Sequence, residues 1–166
     1  MKRIHVFLVV VSFPLYFIHA RPEKEFSENL TQWKAGVAKM IITPDELIWM
    51  GAYVSRNRPA KETRHDLWAK VLVLEDAKGN RAVMVSSDLV GIRNGLSDRV
   101  RKRIKERYGH THAQVLLNSS HTHTALETEN KFHNLLLFTL NKAELVQIDR
   151  DGEKLEKQLI VLVGKA

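Results

Sequence analysis

From Arg81 to Ser119 the chain reads strand, helix, strand, and that order constrains the fold more than any other feature. Arg81–Asp88 (RAVMVSSD) is a short apolar run rich in strand formers. Leu96, Val100, Ile104 and Tyr108 then recur at four-residue spacing, with Arg99, Arg101, Lys102, Arg103, Lys105 and Arg107 between them. This pattern predicts an amphipathic helix that stops at Gly109. Gln114–Ser119 (QVLLNS) is a second apolar strand. A βαβ unit of this kind makes its two strands parallel and the crossover right-handed. Upstream, Leu67–Glu75 (LWAKVLVLE) is joined to Arg81–Asp88 by the turn cluster Asp76–Asn80, which predicts a hairpin. The expected fold is α/β, a layered domain whose mixed sheet holds a hairpin and a parallel βαβ unit. Both hairpin strands are apolar at nearly every position, so each is expected to be covered on both faces.

The flanks add less regular text. Trp33–Thr43 (WKAGVAKMIIT) reads as a further strand, and Thr43, Pro44, Asp45 and Glu46 as a helix start, with a cap, a proline and acidic residues at the positive end of the dipole. A short helix stopped by Gly51 is expected there. Ala52–Glu62 carries Arg56, Asn57, Arg58 and Pro59 without periodicity and reads as a long loop. Asn130–Asn141 is a short apolar piece, and Asp151–Ala166 reads as a helix with Leu155, Leu159, Leu162 and Val163 on one side.

The N-terminus stands apart. Lys2 and Arg3 precede an apolar run from Ile4 to Ala20, followed by the charged stretch Arg21–Glu25. This is the anatomy of a cleaved secretory signal, residues 1–20, and a proline at position 14 argues against a retained anchor. The domain proper is expected to span 33–166, after a polar lead-in, and the protein to be secreted or periplasmic. Removing the signal lowers the formal net charge from +7 by the two charges of Lys2 and Arg3. The remaining excess still permits a membrane-surface contact. The basic residues of the central helix lack interleaved aromatics and are explained by a solvated face, so nucleic acid is not expected as a partner.

With no cysteine in 166 residues, a disulfide framework, a thiolate zinc site and a cysteine nucleophile are all excluded. Any metal must be held by His, Asp, Glu or Tyr. His121 and His123, in Ser119–Thr124, follow the last strand of the βαβ unit. In extended backbone, residues two apart point the same way, so two imidazoles can be presented to one point, an arrangement that suits zinc. Ligands of parallel sheets bind outside the carboxyl ends of the strands, where Asp88 also lies. Asp88 reads either as a metal ligand or catalytic base, or as a cap for the following helix. The histidines read equally as loop hydrogen-bonding groups. Arg56 and Arg58 are candidates to clamp a polar or anionic substrate, or are surface arginines. The sequons at Asn29 and Asn118 matter only in a secretory eukaryote.

Several of these segments together resemble the N-terminal part of the neutral/alkaline non-lysosomal ceramidases. They are Gly36–Pro44 (GVAKMIITP), Met50–Tyr53 (MGAY), His65–Lys70 (HDLWAK), Ser86–Leu89 (SSDL) and Ser120–Thr124 (SHTHT). The resemblance covers about half of the chain, in order throughout. It implies a zinc-dependent hydrolase of the ceramide amide bond, with His121 as a metal ligand and His123 beside the metal, contacting substrate or activated water. The second histidine, the glutamate and the tyrosine of that family's zinc site have no counterpart here. Where the family continues with Ser/Thr-Gly-Pro, this chain has Thr124, Ala125 and Leu126, and Glu127–Leu145 matches nothing recognised. Leu155–Ala166 resembles a helix placed further downstream in the family. The resemblance is thus to a truncated or interrupted member.

The expected function is a zinc-dependent amide hydrolase of the ceramidase type acting on ceramide or a related lipid amide, inactive as the sequence stands. In that reading His123 and Asp88 are the catalytic residues, His121 holds zinc and Arg56 binds substrate. The alternative is a secreted, non-catalytic lipid- or ligand-binding remnant of the same domain. A metallo-β-lactamase-type hydrolase ranks lower, because Ala125 and Leu126 stand where its aspartate and next histidine would follow. An incomplete sheet with an exposed edge and poor solubility is expected.

Overall fold

A computed structural model describes residues 33–52, 56, 58–128 and 140–166. The expected signal at 1–20, the polar lead-in with the Asn29 sequon, and most of the apolar piece at 130–141 lie outside the described residues.

Four strands and two helices account for the described fold: β1 (Lys34–Ile41), β2 (Trp68–Glu75), β3 (Arg81–Ser87), α1 (Asn94–Tyr108), β4 (Val115–Ser119) and α2 (Lys142–Val163). The sheet order is β1-β2-β3-β4. β1 and β2 are antiparallel, as are β2 and β3, whereas β3 and β4 are parallel. The mixed sheet, the hairpin and the parallel βαβ unit are therefore all present. The hairpin turn closes because the Asp76 carboxylate accepts from the backbone N–H groups of Lys78 and Asn80. α1 ends as its sequence requires, at Gly109 with φ 77°, whose N–H donates to the Lys105 carbonyl.

Both helices serve one face of the sheet. Ala69, Val71, Val83, Val85 and Val115 point inward and join Leu96, Val100 and Ile104 of α1 and Leu155, Leu159 and Leu162 of α2 in one buried cluster. Helix α2 also closes on the loop leading away from the histidines, because a Cβ at Gly152 would overlap the Thr128 carbonyl.

Three local expectations need correction. Thr43–Glu46 starts no helix. Its cap hydroxyl is spent elsewhere, accepting from Leu67 N–H and donating to Asp66, while Glu46 and Asp45 pair with Arg150 and Lys154 of α2. Second, α2 begins at Lys142, about two turns before the expected start. Asn141 and Glu144 form a reciprocal capping box that sets this start, and the Asp-Gly pair at 151–152 masks the continuing periodicity. Third, among the described residues the hairpin strands are covered on one face only, and on the outward side Met84 of β3 is 46% exposed, as is Val37 of the neighbouring β1 at 73%.

Candidate functional site

The carboxyl ends of β3 and β4 lie side by side, and the parallel ladder is carried one step further by Ser120 N–H donating to the Ser87 carbonyl. Directly beyond it the chain turns sharply at His121, whose φ of 59° lies in the left-handed region that non-glycine residues seldom adopt. The two imidazoles thus do not meet by strand alternation, as extended backbone would have it. They meet across a turn, with ring centroids 5.0 Å apart in an edge-to-face arrangement.

His121 is oriented by its own backbone surroundings. Its Nδ1 lies 2.7 Å from the Val90 carbonyl, in the connection between β3 and α1. A carbonyl only accepts, so Nδ1 carries the proton and Nε2 is left with the lone pair. This is the tautomer a metal-ligating imidazole uses, with the second nitrogen held by a backbone carbonyl.

Asp88 is built into the sheet end. Its N–H donates to the Trp68 carbonyl at 2.8 Å, and its Oδ2 accepts from Trp68 N–H at 2.9 Å. The N-cap position of helix α1 is Arg93, with no side-chain capping bond, so the capping alternative for Asp88 is not realised. Asp88 lines a cleft of about 620 Å³ together with Thr122, Thr124, Met50, Ile48, His65 and others from the Thr43–Leu67 connection. The hydroxyls of Thr122 and Thr124 are 3.0 Å apart at its edge.

Arg56 reaches across from the long loop. Its Nη1 donates to the carbonyls of Gly51 at 2.9 Å, His123 at 3.1 Å and Met50 at 3.3 Å. Arg56 thereby ties the loop to the histidine turn. The same two segments also pair directly, through a Met50–Leu126 bridge and Gly51 N–H donating to the Ala125 carbonyl. Arg58 is exposed and makes no comparable contact among the described residues.

Sequence reasoning passed over Glu127. It is 5% exposed, with Oε1 accepting from Thr128 N–H, and it sits beside Gly51. Its signal was an acidic residue within the otherwise apolar and small run Ala125–Thr128, a placement that costs free energy without partners. Among the described residues, His121, His123, Asp88 and Glu127 do not gather into a group of three or more donors able to hold a metal.

The chain matches no protein-family model. It is 35% identical over 97 residues to the neutral ceramidases of Drosophila melanogaster and Drosophila pseudoobscura pseudoobscura. The chain is similar to the neutral ceramidases, over part of their length. That match takes in 56% of this chain and 14% of each fly protein. The crystal structure of neutral ceramidase from Pseudomonas aeruginosa shares the fold, with a TM-score of 0.66 over 81% of this chain and 21% of that one, at 22% identity. A ceramidase structure complexed with C2 matches equally. The mixed sheet with its flanking helices is thus a fold shared with about a fifth of the Pseudomonas aeruginosa structure.

Proposed function

We propose that these residues form one wall of an amide-hydrolase site of the ceramidase type, whose substrate is ceramide or a related lipid amide. The observation that carries the reading is the orientation of His121, with Nδ1 tied to Val90 and Nε2 available, at the strand ends beside a cleft, in a chain akin to the neutral ceramidases. His121 has the donor chemistry of a zinc ligand, and His123 lies beside it. Zinc, when bound at such a site, lowers the pKa of water and polarises the amide carbonyl. The cleft, lined by Met50, Ile48 and Leu67 as well as Asp88, Thr122 and Thr124, offers apolar surface for a lipid chain and polar groups for an amide. Asp88 is placed to accept a proton within it, through the oxygen that Trp68 does not hold. Arg56 positions the His123 turn. In this proposal residues 1–20 are an export signal, so that the protein acts outside the cytoplasm.

A second reading is favoured by the donor set. A catalytic zinc ordinarily has three protein ligands and an open position, and the described residues bring fewer together. In that reading the 166 residues are a secreted, non-catalytic lipid-binding remnant that keeps the cleft.

Zinc titration of the purified chain and of His121→Ala, together with fatty-acid release from ceramide, separates the two. The ceramidase reading expects weak zinc uptake that His121→Ala abolishes, with negligible hydrolysis by these residues alone. Zinc uptake unchanged by His121→Ala would remove the metal assignment, and no uptake in either protein would leave the binding remnant. Zinc-dependent release of fatty acid at ordinary enzymatic rates would show that the donor set is sufficient after all.

A further inference from the structure

The outward face of the sheet is unlike the usual solvent-facing side of an antiparallel pair, which alternates to polar residues. Register places Val37 beside Leu72, Leu72 beside Met84, and Met84 beside Leu116, so one apolar row crosses all four strands. Val37, Met84 and Leu116 are exposed. The neighbouring row toward the histidine end holds Lys39 beside Lys70, then Ser86 and Asn118. Beyond it lie Ile41 and Trp68, with the Lys39 ammonium 4.9 Å from the Trp68 ring. Trp33, at the start of β1, is 57% exposed.

Two lysines directly opposite each other repel, and a sheet gains nothing from the pair by itself. Neither forms an ion pair among the described residues, whereas the basic residues at the other end of the sheet, Lys34 and Arg81, both close on Glu75. Both ammonium groups are exposed and open to an anionic partner from outside the described residues. A second copy is a poor candidate, because it would bring the same lysines. The face also measures only roughly 450 Å² from strand spacing and rise, about half of what each partner buries in a standard interface. An apolar row bordered by lysines and tryptophan is instead the composition that settles at the boundary between acyl chains and anionic headgroups.

We propose that the outward face of the β1–β4 sheet docks on an anionic phospholipid bilayer, the apolar row toward the acyl chains and Lys39 and Lys70 against the headgroups. Among the described residues no helix is long and apolar enough to cross a membrane. Trp68 links face and site, because its backbone N–H is held by Asp88. Docking on this face therefore brings the histidine end of the sheet to the lipid surface. The inference takes its purpose from the lipid-amide reading, but its test measures vesicle contact and not hydrolysis, so either can fail without the other.

The chain has no cysteine, which allows a single environment-sensitive fluorophore to be placed at will. Met84→Cys and Leu116→Cys place it on the outward face, and Val146→Cys on the exposed side of α2, in the full chain. The expected result with phosphatidylserine-containing vesicles is a blue shift at 84 and 116 and none at 146. In the Lys39→Gln/Lys70→Gln background, the vesicle concentration needed for the shift should rise roughly thirty-fold, taking about 1 kcal/mol per lysine. The apolar run at 4–20 is common to every variant, so its own binding does not distinguish them. Aqueous emission at both 84 and 116 while the chain sediments with vesicles would overturn the proposal. So would an equal shift on purely zwitterionic vesicles, or one that grows with protein concentration when no lipid is present, the signature of a second copy.

Discussion

Arg56 shows how much one guanidinium can organise. Three carbonyls from two segments converge on its Nη1, and hydrogen bonds from a charged donor are worth more than neutral ones. Lysine keeps the charge but not the planar fork. Arg56→Lys should therefore lower the unfolding free energy by about 1–2 kcal/mol, read as a shift in urea midpoint at unchanged m-value. His110 offers a second test. It is buried, and burial holds its imidazole below the usual histidine range, with the charge of Arg81 adding to the effect. As pH falls through the ordinary value near 6.5, the unfolded chain takes up a proton that the native state resists. Stability should accordingly decline on acidification through that region, and the decline should be shallower in His110→Gln, as measured by thermal midpoints between neutral and mildly acidic pH. At this scale the sequence was informative about residue type but not about geometry. The His-x-His pair, Asp88 and Arg56 were all legible as candidates; the histidines and Asp88 follow the strand ends, while Arg56 lies on the long loop and reaches the His123 carbonyl. What spacing could not carry was the left-handed turn at His121, which depends on Ser120 staying in the ladder while the next residue leaves it. Nor could it show Arg56 reaching backbone carbonyls remote in sequence.

Helix α2 carries the clearest prediction among the elements. Glycine within a helix ordinarily costs about 1 kcal/mol relative to alanine, so Gly152→Ala would stabilise an isolated α2. In this fold the added methyl meets the Thr128 carbonyl, a backbone atom that cannot swing aside. Gly152→Ala should instead destabilise by about 1–3 kcal/mol, while a peptide spanning the helix gains helicity by circular dichroism. Opposite signs in the two settings would establish that the glycine is there for close approach. The same helix explains a misplaced boundary. An Asp-Gly pair normally punctuates a chain, and here tertiary packing overrides it, because Ile148 on one side and Leu155 on the other both reach buried positions. The Asn141–Glu144 box was the legible start signal, three residues apart and in plain view. At Thr43–Glu46 the reverse holds. The local signature was that of a helix start, and it lost to the tie between Thr43 and the beginning of β2.

For the molecule as a whole, the parallel pair and the hairpin were readable because each arises from segments close in sequence. The place of β1 and the bare outward face were not, since strand composition alone does not say how many layers will meet a sheet. The sheet order has one more consequence, which concerns the route to the fold. Every strand pairs with its neighbour in sequence, yet only β2 and β3 are joined by a tight turn. β1 must wait for the long connection through 42–67 to close, and β4 for α1 to form and cross over. Pulse-labelling hydrogen exchange should therefore find the amides of β2 and β3 protected before those of β4, with simultaneous protection of all four strands arguing against this order. A hairpin that is apolar on both sides then precedes the helices that shelter it, and that interval, more than any weakness of the finished structure, is when the chain is most exposed to aggregation and most in need of a chaperone.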